Sequence, residues 1–207
     1  MIIIGSKGHA REVLDIFVRK NQIANLYFYD DYSKNLPERL FDLFPIITNI
    51  KQAKAIFKSD NQFVLGLGSV KNRLKLYEKF IEIGGEPYSV ISDTAIIGTF
   101  NIELGKGLNI MHNTSISNDV KIGDGSLINS YVSVHHDSQI GRFCELSPGA
   151  RILGRVTIGD FCSIGANAVV LPDVVIGNNA VIGAGALVTK NVPENETWVG
   201  VPAKKIR

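Results

Sequence analysis

Between residues 104 and 188 every sixth residue is aliphatic, and few folds can satisfy such a period. The series runs Leu104, Ile110, Ile116, Ile122, Ile128, Val134, Ile140, Leu146, Ile152, Ile158, Ile164, Val170, Ile176, Ile182 and Val188, fifteen positions without a slip. Small or turn-tolerant residues often follow, as in Ile122-Gly123, Ile140-Gly141, Ile158-Gly159 and Ile164-Gly165. Six residues advance an α-helix by about 600°, or about 240° net, which would scatter these side chains over three faces. In an extended chain six is an even step, so the whole series points to one side. A short strand and a turn every six residues wind into a coil whose inward side chains stack from layer to layer. Three such segments per turn make the triangular prism of a parallel β-helix. The series amounts to about five coils, a stack of roughly 24 Å at about 4.8 Å per layer. Ile91 and Ile97 carry the phase backwards, with one residue inserted before Leu104.

The first ninety residues have a different texture. Ile2-Ile3-Ile4 reads as a short buried strand ending at Gly5, and Ala10, Val13, Leu14 and Phe17 then follow the spacing of an amphipathic helix. Leu26 to Tyr29 and Phe63 to Leu67 are further strands, Lys51 to Lys58 a short helix. Ser69 stands where it can cap a helix with Leu74, Tyr77 and Ile81 on one side. Alternating strands and helices imply a small parallel sheet covered by helices. The expected organisation is a reduced Rossmann-like domain over residues 1–90 and a β-helix domain with a C-terminal tail over residues 91–207.

Composition narrows the function. With 45% hydrophobic residues, 20% charged residues and a net charge of +2, the chain is of ordinary globular type, with no basis for bulk binding to nucleic acid or an anionic membrane. It has no run of 18 apolar residues, so no membrane insertion is expected, and no basic segment precedes the apolar start MIIIGSKGHA, which argues against a signal peptide. Cys144 and Cys162 are 18 residues apart with no Cys-x-x-Cys pair. They read as buried free thiols of a cytoplasmic protein rather than zinc ligands.

Two places carry chemistry. In VSVHHDSQIG, residues 132–141, Val134 is in the inward register, so His135 and His136 cannot both point inward and at least one reaches the surface. His136 followed by Asp137 suits a general base beside a carboxylate, whereas a metal site lacks a third ligand at a plausible spacing. His112 has no acid partner in sequence and reads as a surface residue. At the other end, Gly5-Ser6-Lys7-Gly8-His9 joins a strand to a helix, where backbone N–H groups can face a phosphate. Asp30-Asp31 and Gly68 also follow strand ends, the edge at which open parallel sheets bind ligands.

The uninterrupted hexapeptide register and the tail Trp198-Val199-Gly200-Val201-Pro202-Ala203-Lys204-Lys205-Ile206 resemble the left-handed β-helix acyltransferases. With MIIIGSKGHAREVLD in front, the whole chain is similar to the NeuD type of bacterial sugar acetyltransferase. That resemblance implies a left-handed prism, a homotrimer, acetyl-coenzyme A in the groove between subunits, no metal, and a nucleotide-sugar on the N-terminal domain. It implies His136 as general base with Asp137, where Glu is frequent, and His135 as a structural neighbour. Asn129, one position of the coil before His136, becomes a secondary candidate for orienting substrate. On the donor side it implies Gly154 as an N–H near the thioester oxygen, Ala166 and Ala184 beside the pantetheine, and Lys190, Lys204 and Lys205 toward phosphates. Glu145 stands where many relatives carry a histidine that contacts the donor. Lys7, Gly8, His9, Asp30, Asp31 and Gly68 would meet the nucleotide-sugar, Lys7 replacing a usually small residue. The implied activity is acetyl transfer to the amino group of a UDP- or dTDP-linked 4-amino-sugar in surface-glycan precursor synthesis. The alternatives are O-acetylation of a sugar or sialic acid, or a non-enzymatic β-helix scaffold.

Overall fold

A computed structural model describes all 207 residues, in two compact units, Met1–Val90 and Ile91–Arg207. The first unit contains β1 (Ile2–Ile4), α1 (Gly8–Arg19), β2 (Tyr27–Tyr29), β3 (Arg39–Leu40), β4 (Phe44–Ile47), α2 (Ile50–Ile56), β5 (Gln62–Leu65), α3 (Val70–Glu82) and β6 (Glu86–Pro87). The sheet order is β3-β4-β2-β1-β5-β6, parallel throughout except for the β3–β4 hairpin. Ile2, Ile3 and Ile4 are wholly buried, as a central parallel strand covered on both faces requires. The α1 stripe Ala10, Val13, Leu14 and Phe17 is buried as the spacing demands.

Three details depart from the sequence reading. Strands β3, β4 and β6 lie in stretches that carry too little signal, two of them containing a proline, which ordinarily demotes a strand. Ser69 occupies the N-cap of α3, but its side chain makes no capping bond. The buried face of α3 is Arg73 and Phe80; Leu74 and Tyr77 are half-buried and Ile81 is exposed. Arg73 is fully buried, with Nη1 donating to the Leu67 carbonyl at 2.7 Å.

The second unit is a parallel β-helix. Two-residue strands fall in rotation on three faces, as in Asn109–Ile110 on the first, Ser115–Ile116 on the second and Lys121–Ile122 on the third. Each pairs with the strand 18 residues on, as in Ile128↔Leu146 and Val134↔Ile152. Fourteen of the fifteen periodic aliphatics are buried, and Leu104 at the open end is half-buried. The inserted residue is real: Ile97 pairs with Ile116, 19 positions away. At the far end the coil instead shortens, where Ile176 bridges Val192, 16 positions on.

A second inward series sits two residues before the first. It includes Leu108, Thr114, Val120, Ser126, Val132, Ser138, Cys144, Ala150, Val156 and Cys162, all buried. Its small polar members satisfy corner backbone. Ser126 and Ser138 donate Oγ–H to the carbonyls of Gly141 and Leu153 at 2.9 and 3.0 Å, and accept from the N–H of Cys144 and Val156. Both cysteines are free and buried, and each thiol donates to a carbonyl in the same way, Cys144 to Gly159 and Cys162 to Gly177.

Candidate active site

In the first unit, the loops after β1, β2 and β5 open on one cleft of about 630 Å³. Gly5, Ser6, Lys7 and His9 line it from the first loop, Asp30 and Asp31 from the second, Gly68 from the third. Tyr29, Tyr32, Asn72, Lys75 and Lys79 also line the wall and were not legible in the sequence, because three of them project from α3 at positions that read as a solvated face. Gly8 opens α1 but does not line the cleft. The two backbones under the cleft touch: a Cβ on Gly5 (φ +103°) would come within 2.8 Å of the Gly66 carbonyl, so only glycine fits there.

The two aspartates do different work. Asp30 is buried; one carboxylate oxygen accepts from Ser6 Oγ and the other from the N–H groups of Tyr32 and Ser33 at 3.2 and 2.9 Å. Burial alone would raise its pKa, but these bonds together hold it below the usual carboxylate value. Asp30 therefore buckles two loops together while also lining the cleft. Asp31 accepts from Tyr29 Oη and Lys79 Nζ, both at 2.7 Å, while Lys79 also donates to Tyr29 Oη at 2.8 Å. Burial opposes the charges here too, and the mutual hydrogen bonds win, lowering Asp31 and raising Lys79. His9 is largely desolvated, which lowers its pKa against the opposing bond to Glu12, with the nearby Arg73 charge adding to the lowering.

In the β-helix, VSVHHDSQIG crosses the edge between the second and third faces. His135 is half-buried and its N–H joins the ladder to Ile152, while His136 and Asp137 have side chains 54% exposed. His136 Nδ1 lies 2.7 Å from Asp137 Oδ2. A carboxylate can only accept, so Nδ1 carries the proton and Nε2 is left as the basic nitrogen. Asp137 has φ +59°, so the turn itself calls for a residue that tolerates that region, as Asp does. One coil on, Gly154 packs on the ring: a Cβ there would meet His136 Cε1 at 2.6 Å and Nε2 at 2.7 Å. Lys190 lies beyond Val188 at the same edge, with Nζ 5.7 Å from the Trp198 ring centroid.

The remaining residues are not gathered there. Asn129 sits at the edge between the first and second faces, not beside His136, and its Oδ1 accepts the Ser130 N–H at 2.7 Å as a turn cap. Ala166 and Ala184 lie at that same edge, and Glu145 projects from the first face. Lys205 is bound to Glu196 at 2.7 Å, whereas Lys204 is exposed. His112 is half-buried rather than a surface residue, with Nδ1 2.6 Å from Ser92 Oγ. A shallow hollow of about 790 Å³ along the third face contains none of the expected site residues. No group of three or more His, Cys, Asp or Glu side chains is arranged to hold a metal ion. No helix is long and apolar enough to cross a membrane.

Comparison with known proteins bears on both units. Residues 1–80 match the PglD N-terminal domain, and residues 119–154 and 155–190 match the bacterial transferase hexapeptide (six repeats). No curated protein matches the chain by sequence. Among solved structures, a perosamine N-acetyltransferase from Caulobacter crescentus, in complex with CoA and GDP-perosamine, is 26% identical over 100% of this chain and 96% of its own, with a TM-score of 0.89. WeeI from Acinetobacter baumannii AYE is 27% identical over 99% and 98%, also at a TM-score of 0.89. The acetyltransferase domain of PglB from Neisseria gonorrhoeae FA1090, at 23% identity over 99% and 98% and a TM-score of 0.89, shares the fold. A PglD N-terminal domain joined to transferase hexapeptide repeats, over the full length of such neighbours, places this chain in the NeuD/PglD type of sugar acetyltransferases.

Proposed function

We propose that this protein transfers an acetyl group from acetyl-coenzyme A to the amino group of a nucleotide-linked 4-amino-sugar, in the cytoplasm, during synthesis of a surface-glycan precursor. The observation that carries the reading is the His136–Asp137 pair, whose 2.7 Å bond leaves Nε2 as a base on an open edge. The complex of the Caulobacter crescentus enzyme with CoA and GDP-perosamine supports the substrate class. In the proposed step the amine attacks the thioester carbonyl while His136 Nε2 takes its proton. The tetrahedral intermediate expels the coenzyme A thiolate, which takes the proton from His136 as the amide forms and so restores the base. The Gly154 N–H is assigned to the developing oxyanion.

The cleft of the first unit is assigned to the nucleotide-sugar, with Asp31, Lys79, Lys75 and Lys7 as its polar contacts. Ala166, Ala184 and Glu145 support a site shared between subunits. They lie on other sides of the prism than His136, so a donor touching all of them must bridge two copies. A homotrimer with flat faces packed about a threefold axis meets that need. Lys190 and Lys204 are then assigned to coenzyme A phosphates, while the charge of Lys205 is paired with Glu196.

The test is release of free thiol from acetyl-coenzyme A with UDP-, dTDP- and GDP-linked 4-amino-sugars. Turnover with at least one amino-sugar is expected. Turnover only on a hydroxyl acceptor would establish O-acetylation instead.

A further inference from the structure

At the edge that carries His136, each coil turns through one residue of positive φ: Asn101, Asp119, Asp137, Arg155 and Asp173, at 52°, 60°, 59°, 60° and 65°. Asn and Asp suit this region because a short polar side chain bonds locally, whereas a long side chain is disfavoured. Arg155 is the exception in the column, and such an exception needs a compensating interaction. Its Nε and Nη2 donate to the two carboxylate oxygens of Asp173 at 2.6 and 2.9 Å. Its backbone N–H donates to the His136 carbonyl at 2.9 Å. Asp173 chiefly, and Asp137 more weakly, act on the guanidinium and favour its charged form. The edge thus stacks Asp137, Arg155 and Asp173 one per coil, negative, positive, negative. Asp119 is the next carboxylate below, held by Asn101 at 2.7 Å.

We propose that Arg155, clamped by Asp173, is a positioning residue for the reaction: it keeps the Asp137 carboxylate under Nδ1–H of His136, so that Nε2 stays aimed at the acceptor. The inference rests on His136 being the base. The pair needs such a restraint because both side chains are more than half exposed and their rotamers are otherwise little confined. A direct contact of Arg155 with an anionic substrate is disfavoured, since the two nitrogens of its fork are already committed to Asp173.

The decisive variant is Arg155→Asn, which relieves the backbone and removes the cation. It is expected to leave Tm unchanged or raised, lower kcat about tenfold, and leave KM for both substrates within about twofold. Asp173→Asn, which leaves residue 155 untouched, is expected to lower kcat in the same way but less. In an Asp137→Asn background, Arg155→Asn is expected to add nothing, because the carboxylate it positions is gone. Unchanged kcat in Arg155→Asn and Asp173→Asn overturns the proposal, and so does a raised KM with kcat intact, which would make Arg155 a substrate contact. His136→Ala run in parallel separates the two levels. Its full activity would overturn the base assignment, whereas its inactivity beside a fully active Arg155→Asn overturns the positioning role alone.

Discussion

The imidazole of His136 is held by a single side-chain bond, and its consequences can be measured residue by residue. His136→Ala is expected to lower kcat by about 10²- to 10⁴-fold, the usual worth of a positioned general base, with thermal stability unchanged because the side chain is exposed. A variant retaining more than half of wild-type kcat would remove His136 from the mechanism. In the other unit, Asp31 titrates below the ordinary carboxylate value because Lys79 and Tyr29 bind its ionised form. A depressed folded-state pKa contributes stability that is present above the unfolded value, about 3.9, and lost as pH falls through the lower folded one. Asp31→Asn should therefore reduce stability near neutral pH and flatten the loss below about pH 4. Because the pair is over a third exposed, the effect should not exceed about 1 kcal/mol. Denaturant titrations at pH 3 and pH 7 check the sign. Residue identity told which atoms could do chemistry, His and Asp side by side. It did not reveal that Asp30, adjacent to Asp31, spends both oxygens on Ser6 and its own loop.

At the scale of the element, the six-residue step is what makes the β-helix legible. An inward position recurs for purely geometrical reasons, so Ile158 and its equivalents announce themselves. Ile158→Ala should cost about 3 kcal/mol, as a cavity in a packed stack that cannot collapse locally. The companion series two residues earlier is not legible in the same way, since Ser138, Cys144 and Ala150 share no hydropathy. What they share is a small volume and, for several, a proton to donate to a corner carbonyl. Ser138→Ala should cost about 1 to 2 kcal/mol by leaving the Leu153 carbonyl without its Oγ donor and the Val156 N–H without its acceptor. Ser138→Cys, which the chain itself uses at residues 144 and 162, should cost less. Thermal melts of the two variants decide whether hydrogen bonding or volume governs the corner. In the first unit the sequence yields α1 and β1 readily, but β6 is two residues long and contains Pro87, so only pairing with β5 makes it a strand.

For the whole molecule, the proposed sharing of sites between subunits has a numerical consequence. His136→Ala lacks the base, and Ala184→Trp should fill the groove beside the donor; each alone should be inactive. Co-refolded in equal amounts, they should regain roughly a quarter of wild-type activity, because that fraction of sites pairs an intact base with an intact groove from a neighbour. No recovery in the mixture would place the whole site on one chain. The sequence by itself determined the inward register, the division between alternating and hexapeptide texture, and the adjacency of His136 and Asp137, since each is a local or strictly periodic property of the chain. Only the tertiary structure decided which residues are neighbours across coils or across loops. Asp173 lies 18 residues from Arg155, and Lys79 lies 48 from Asp31. Such contacts follow from how layers stack and how helices lie on a sheet, and short-range patterns along the chain do not encode them.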